Sequence, residues 1–343
     1  MTPSDLVWIQ TGFLGDVVLT TAAIALGRAE FPAAKHHLIT TPVGKEALGG
    51  WPGLDSLTVW DKRKEGGLGG IMAVKRRVMR ELAHSAPVVL KPHRSIRSAL
   101  LARALDWPVV THCEASLSLL AWQRVPRVAT FHEAHRIALL LEPLGVSREA
   151  MLAARPCLTA VAMPDEEWSR AVNALTQRRI GVAPGSVWGT KRWTPAGYRS
   201  VVQRLLEHGE TSVVMLGGRE EAVLVQEIIA PLKGHPRLVD CAGKTKIREL
   251  RWLVPQLSAL VANDSALVHF ATAFNVPTVA IFGATVPEMG FAPLANSSSS
   301  MGVAGLPCRP CGAHGPMKCP LGHFRCMRDL AADAVLARIH LVP

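Results

Sequence analysis

Four clusters in the 343-residue sequence combine residue types and spacings that chemistry could use. The first is Gly12-Phe13-Leu14-Gly15-Asp16. Two glycines let a ligand approach the backbone, and a helix N-terminus favours negative charge. Asp16 reads either as a helix N-cap or as a carboxylate at the edge of a cleft, acting as general base. The second is Ala183-Pro184-Gly185-Ser186-Val187-Trp188-Gly189-Thr190-Lys191-Arg192-Trp193. Backbone N–H groups and the two hydroxyls suit phosphate oxygens there, with Lys191 or Arg192 neutralising charge. The competing reading is a solvated Lys-Arg pair ahead of a well-capped helix. The third is Asn263-Asp264-Ser265, with His269 four residues beyond Ser265. Asp264 or Ser265 could be a plain helix cap, and His269 a core histidine. The fourth is Cys308-x2-Cys311-x7-Cys319-x6-Cys326, with His314 and His323 interspersed. That spacing is compatible with tetrahedral zinc, redox activity or ordinary packing. The second cysteine pair lacks the C-x2-C repeat, so a structural zinc at Cys308, Cys311, Cys319 and Cys326 is not expected.

Elements must hold these clusters in place. Apolar runs at residues 6–10, 37–40, 57–60 and 88–90 read as strands, with helical spacing over 17–30, 95–105 and 135–144. The pattern breaks over residues 146–164, which reads as an inter-domain connection. Beyond it, strands are expected at 179–183, 212–216, 238–241, 257–262 and 278–282. Helices fall between them, one beginning at Thr194-Pro195 as an N-cap with proline at the first helical position. Alternating strands and helices indicate an α/β chain with two parallel sheets. In such sheets ligands bind at the carboxyl ends of strands, where the first three clusters fall. Neither glycine loop has the G-x-G-x-x-G or Walker A spacing, which disfavours a nicotinamide-dependent oxidoreductase.

The charge is +11, from 38 Lys+Arg against 27 Asp+Glu. Residues 61–103 alone hold 11 basic and three acidic residues, a local +8, so the basicity is a patch rather than a general property. Such a patch implies an anionic partner without choosing among nucleic acid, phosphosugar and lipid. The patch contains no Phe or Tyr to stack bases and no recognised docking module, so nucleic acid is not expected. No apolar run reaches the ~18–20 residues of a membrane span. The N-terminus lacks a basic signal-peptide region. Seven cysteines, three of them isolated, fit the reducing cytosol.

The ordered motifs resemble glycosyltransferase family 9, the bacterial lipopolysaccharide heptosyltransferases. The resemblance rests on Gly12-Phe13-Leu14-Gly15-Asp16, Asp61-Lys62-Arg63-Lys64, the Arg94-Ser95-Ile96-Arg97 segment and the 184–193 loop. It continues through Leu216-Gly217-Gly218, Ala242-Gly243-Lys244-Thr245, Asn263-Asp264-Ser265-Ala266-Leu267-Val268-His269 and Pro277-Thr278-Val279-Ala280-Ile281-Phe282-Gly283. The tail Cys319-Pro320-Leu321-Gly322-His323 looks like the second-heptose branch. Position 266 is Ala where the family usually has Gly.

The resemblance implies a GT-B architecture of two Rossmann-like domains facing across a cleft: an acceptor domain over residues 1–155 and a nucleotide-sugar domain over 156–327. A C-terminal helix within 328–343 would return to the first domain. It implies inverting, metal-independent transfer of heptose from ADP-L-glycero-D-manno-heptose to the inner core of lipopolysaccharide, with no cofactor required. Asp16 would be the base. Gly185, Ser186, Thr190, Lys191 and Arg192 would hold the donor diphosphate, Asp240 the ribose, and Asp264, Ser265 and His269 the donor sugar or phosphates. Gly15, Lys62, Arg63, Lys64, Arg94 and Arg97 would meet the acceptor, a lipid-linked anionic oligosaccharide on an anionic inner leaflet. The protein would then be cytoplasmic and peripheral to the membrane. The alternatives are a family member carrying another nucleotide-activated sugar, or a basic nucleic-acid-binding protein with a zinc-bound tail.

Overall fold

Strand β1 (Asp5–Gln10) is buried along its whole length, as its unbroken apolar stretch requires of a central parallel strand. It anchors the first of two six-stranded, all-parallel sheets in a computed structural model that describes residues 3–82, 87–175, 178–207 and 209–340. The chain divides into two compact units, Met1–Thr159 and Ala160–Pro343.

In the first unit β1 leads to α1 (Leu14–Glu30), β2 (Lys35–Thr40), α2 (Pro42–Leu48), β3 (Ser56–Val59) and α3 (Gly67–Glu81). Then follow β4 (Val88–Lys91), α4 (Ile96–Leu105), β5 (Val109–His112), β6 (Gln123–Val125), α5 (Glu133–Ala138) and α6 (Arg148–Ala153). The strand order is β3-β2-β1-β4-β5-β6. The chain reverses direction across the sheet between β1 and β4, where Trp8 pairs in register with Leu38 on one side and Leu90 on the other. One face is sealed by Ile71, Val74 and Val78 of α3 with Leu101, Ala102 and Leu105 of α4.

The second unit contains α7 (Glu167–Asn173), β7 (Arg178–Ala183), α8 (Pro195–Glu207), β8 (Thr211–Met215), α9 (Ala222–Ile229) and β9 (Leu238–Asp240). It continues with α10 (Leu250–Leu253), β10 (Ala259–Asn263), α11 (Ala266–Ala273), β11 (Thr278–Ile281), β12 (Ser299–Met301), α12 (Arg325–Arg328) and α13 (Ala332–His340). Its order, β12-β11-β10-β7-β8-β9, repeats the first unit's plan, with β7 and β10 now flanking the reversal. Ligands of open parallel sheets sit at the carboxyl ends of such strands, and the two units present those ends at Gln10 and Lys91, and at Ala183 and Asn263.

Four expectations change. The first helix begins at Leu14 rather than residue 17. Asp16 is therefore the third helical residue and not the N-cap, and its Oδ2 accepts the Phe13 N–H at 3.2 Å. Strands β5, β6 and β12 were not foreseen. Nor was α6, which lies within the expected connection and is capped by Ser147, whose Oγ accepts the Ala150 N–H at 3.2 Å. Finally, α13 is built into the second unit. Its Val335, Leu336 and Ile339 are buried in the second unit's core with Tyr198, Val201 and Leu205 of α8, and Asp333 pairs with Arg204. The C-terminal helix is expected over residues 329–341 and the helix opened by Thr194-Pro195 up to residue 208; positions 208 and 341 lie outside the described residues, as do 342 and 343.

Candidate functional site

The second unit builds its site around Asn263, the last residue of β10, which is fully buried. A buried amide must satisfy both its ends. Asn263 Oδ1 accepts from the Trp193 backbone N–H at 3.0 Å and from the Tyr198 hydroxyl at 2.9 Å. Its Nδ2 donates to the Pro184 carbonyl at 2.6 Å. One side chain thus fastens both ends of the 184–193 loop to the strand end. Arg192 closes the loop further, its Nε donating to the Ser186 carbonyl at 2.7 Å.

This framework places Lys191 Nζ 2.6 Å from Asp264 Oδ2, with both side chains largely buried at 12% and 7% exposure. The same oxygen accepts the Thr285 hydroxyl at 2.7 Å. The cation is therefore fixed at the end of β10 before any ligand arrives, and the arrangement can receive an anion without reorganising. Gly185 permits a close approach on the other side: a Cβ there would fall 1.8 Å from Glu221 Oε1. Glu221 is in turn held by the Gly218 N–H at 2.7 Å.

The cysteine-rich segment walls this loop. Thr190 donates its N–H and hydroxyl to the Pro316 carbonyl at 3.3 and 2.5 Å. The rings of Trp188 and His314 stack with centroids 5.9 Å apart. The Cys311 N–H meets the Ala284 carbonyl at 2.8 Å. All seven cysteines are free, and Cys308 Sγ lies 4.0 Å from His323 Nε2. Among the described residues no group of three or more His, Cys, Asp or Glu side chains is arranged to hold a metal ion. Burial and the neighbouring thiols raise the Cys311 thiol, and burial pushes Cys326 up to about 11.

The first unit gathers its polar groups at the equivalent point. A Cβ at Gly12 would sit 2.9 Å from Asp16 Oδ2, 3.0 Å from Gln10 Oε1 and 3.2 Å from His93 Cδ2, so glycine is what lets these three side chains converge. Gln10 accepts the Gly12 N–H at 3.1 Å and donates to Thr20 Oγ1 at 3.1 Å. Lys62 reaches in to Thr11 Oγ1 at 2.6 Å, and Thr11 meets Ser98 Oγ at 2.8 Å. Burial and the nearby Arg97 push Lys62 down to about 8. His93 is pushed down to about 4 by burial and by Lys62, Lys91 and Arg94, so its ring is neutral at physiological pH. Its Nδ1 is buried with no hydrogen-bond partner among the described residues. Lys91, 2% exposed and lowered to about 8 by burial, donates to the His93 carbonyl at 2.9 Å.

Of the expected donor residues, Gly185, Ser186, Thr190, Lys191, Arg192 and Asp264 share one loop and strand end, with half-buried Ser265 opening α11 beside them. His269 is 4% exposed and its ring packs toward Phe291 at 6.1 Å, the packing alternative considered above. Asp240 ends β9, two strands from β7 and so about 10 Å away in the sheet. Its carboxylate is engaged by the Ala242 N–H at 2.9 Å and Gln226 Nε2 at 2.7 Å. Besides Asp264, the carboxylate beside the loop is Glu221, next to Gly185. In the first unit Asp16, Gly15 and Lys62 lie at the Gly12 turn, and Arg94 and Arg97 act electrostatically on His93 and Lys62. Arg63 and Lys64 are exposed on the adjoining turn, their backbone N–H groups held by Asp61.

Sequence reasoning assigned no role to Asn263, Thr285, Glu221, Gln10, Thr11 or His93. Glu221 had one visible signal, the capping-box spacing from Gly218. Asn263 had another, an amide ending an apolar strand.

Comparison with known proteins follows the same lines. A family model described as glycosyltransferase family 9 (heptosyltransferase) matches residues 75–319. The lipooligosaccharide heptosyltransferase 2 of Campylobacter jejuni is 30% identical over 162 residues, 47% of this chain and 50% of that protein. The lipopolysaccharide heptosyltransferase 2 of Escherichia coli is 31% identical over 152 residues, 42% of this chain and 43% of that protein. The matched stretch thus spans about half the length of these two relatives, or less. Solved structures match the fold almost end to end. A family 9 glycosyltransferase from Veillonella parvula gives a TM-score of 0.82 at 20% identity over 99% of this chain and 97% of that one. The ADP-heptose heptosyltransferase II of Escherichia coli gives 0.77 at 20% identity over 98% of each. Since the family match takes in β4, the 184–193 loop, Asp264 and most of the cysteine-rich segment, the chain belongs to glycosyltransferase family 9.

Proposed function

We propose that the protein transfers heptose from an ADP-heptose donor to the inner core of lipopolysaccharide, with inversion at the anomeric carbon and without a metal ion. The observation that carries this reading is the buried Lys191–Asp264–Thr285 constellation at the end of β10, beside a loop fastened to the strand end by Asn263. Family membership and the names of the relatives supply the sugar. A glycosyl diphosphate breaks its anomeric C–O bond with charge growing on the departing phosphate. Lys191 and Arg192 are the cations of the loop, and a cation already fixed in position stabilises that charge most where it grows, in the transition state. Asp16 takes the proton of the acceptor hydroxyl as that oxygen attacks the anomeric carbon. Lys62, Arg94 and Arg97, with exposed Arg63 and Lys64, meet the acidic groups of a lipid-linked acceptor, and the enzyme works as a peripheral protein on the cytoplasmic face of the membrane.

The reading is tested with purified protein, ADP-heptose and a heptose-deficient core acceptor, analysed by mass. A product one heptose heavier, formed equally in EDTA, is expected. Asp16→Asn lowers turnover by about 10²–10⁴-fold, the usual range for a general base. Transfer of a different nucleotide sugar in preference to ADP-heptose would overturn the donor assignment. Near-wild-type turnover in Asp16→Asn would remove it as base.

A further inference from the structure

The exposed large apolar side chains are unevenly distributed. Leu68 and Met72 of α3, Ile96 and Leu100 of α4, and Leu117, Leu119, Leu120 and Trp122 beyond β5 are all solvent-exposed. They fall within one stretch of the first unit that also holds the +8 segment. Helices α3 and α4 pack side by side through Val74, Val78, Leu101 and Leu105. A pocket of about 430 Å³ joins Ala99 and Arg103 of α4 to Leu117, Leu120 and Trp122. The two helices and the 117–122 turn therefore form one continuous surface. Arg76, Arg80 and Arg97 are exposed on it.

The turn is built to be desolvated. Leu119 is 80% and Leu120 63% exposed, yet three backbone N–H groups of their turn are bonded internally. The Ser118, Leu120 and Ala121 N–H groups donate to Ala115, Leu117 and Ser118 carbonyls at 3.2, 3.1 and 3.0 Å. The buried Ser118 hydroxyl donates to the Cys113 carbonyl at 2.7 Å. An apolar medium tolerates only backbone whose polar groups have such partners. Apolar tips on an internally bonded turn, with Arg76, Arg80 and Arg97 making no ion pair among the described residues, suit the boundary between headgroups and acyl chains of an anionic bilayer.

We propose that this face docks the protein on an anionic lipid bilayer, with Leu119, Leu120 and Trp122 entering the interface while Arg76, Arg80 and Arg97 engage lipid phosphates. The attachment is a wedge plus charge, rather than charge alone. It deepens the proposed transfer to a lipid-borne acceptor and rests on that reading for its purpose. The binding experiment is independent of it.

The test is co-sedimentation of the full chain with phosphatidylglycerol–phosphatidylethanolamine vesicles and with phosphatidylcholine vesicles. Wild type is expected to bind the anionic vesicles at low salt and to keep residual binding at high salt, where screening removes the ionic part. Leu119→Ser/Leu120→Ser is expected to lose at least about tenfold in partition at either salt, because each leucine contributes methylenes buried at the interface. Arg76→Glu/Arg80→Glu is expected to lose most binding at low salt and little at high salt. Vesicle-induced blue shift of tryptophan emission should vanish in Trp122→Phe. ADP-heptose affinity and turnover on a lipid-free acceptor should be unchanged in the leucine variant. Their failure in wild type would refute the transfer reading and leave the docking result standing. Equal vesicle binding by wild type and the leucine variant, or no binding by wild type at low salt, would overturn the wedge. Concentration-dependent dimerisation abolished by the leucine substitutions, without vesicle binding, would assign the face to a second copy and equally overturn it.

Discussion

The two units place their polar groups at the same point of the same strand plan and treat them in opposite ways. After β7 and β10, the polar groups are matched to one another: Lys191 to Asp264, Thr285 to Asp264, Asn263 to four loop and helix groups. After β1 and β4, they are left in tension. Among the described residues His93 has a buried nitrogen with no partner, and Lys62 and Lys91 are lowered by burial without a carboxylate to offset it. A matched site is rigid and suits a ligand whose charge is fixed, such as a diphosphate. A strained one holds its groups short of satisfaction, which a ligand bringing its own acids and hydroxyls can complete. One topology thus yields a prebuilt anion site and a site that awaits its partner.

The largest break in that contrast comes from the matched site. Lys191→Met leaves Asp264 buried without its cation and should cost about 3–5 kcal/mol of stability, read as a lowered denaturant midpoint. Lys191→Met with Asp264→Leu should recover most of that stability while activity stays lost. If the double variant were as unstable as the single one, the pair would not be what holds the loop.

Acid comes next. His36, His93 and His112, all in the first unit, have pKa values lowered from 6.5 to about 4, in each case chiefly by burial. Between those pH values the unfolded chain binds more protons than the folded one. The stability is therefore complete above about 6.5 and drains away as pH falls toward 4. Amide exchange followed by mass spectrometry should show residues 3–159 opening on acidification before 160–340. Simultaneous opening would mean that the imidazoles do not set the acid limit.

Smaller effects test the edges of each site. Gly185→Ala forces Glu221 off the loop and should cost about 1–3 kcal/mol with weakened ADP binding by calorimetry. Arg63→Ala, at an exposed position, should change stability by less than about 0.5 kcal/mol and acceptor KM only a few-fold. A large stability loss there would show that Arg63 is held by more than its turn.

Much of this plan was legible beforehand because buried parallel strands announce themselves as apolar runs. β1, β7 and β10 did so, and the loops following them carried the glycines, hydroxyls and cations. The edge strands did not: Gln123–Val125 and Ser299–Met301 are short and largely polar, so their sequences resemble loops. Helix α13 was expected only from the family resemblance, and its apolar residues do not say which core will bury them. Asn263 and His93 were missed for a related reason. Their neighbours, Pro184 and Gly12, lie some 80 residues away in the chain and meet them only when the sheet closes. Glu221 and Asp240 show the converse. Asp240 ends β9 and Glu221 lies shortly after β8, and only three-dimensional placement shows that Glu221 is the one beside Gly185.

The central claim is that the second unit holds the nucleotide and the first supplies the base. It is tested most directly by calorimetric titration of ADP into Asp16→Asn and Lys191→Met side by side, each folded sample verified by circular dichroism. Asp16→Asn should bind ADP within a few-fold of wild type, whereas Lys191→Met should lose at least about tenfold, the weakening expected when a charge-assisted contact to a diphosphate is removed. Loss of ADP affinity in Asp16→Asn to the same extent as in Lys191→Met would contradict the division of labour between the two units.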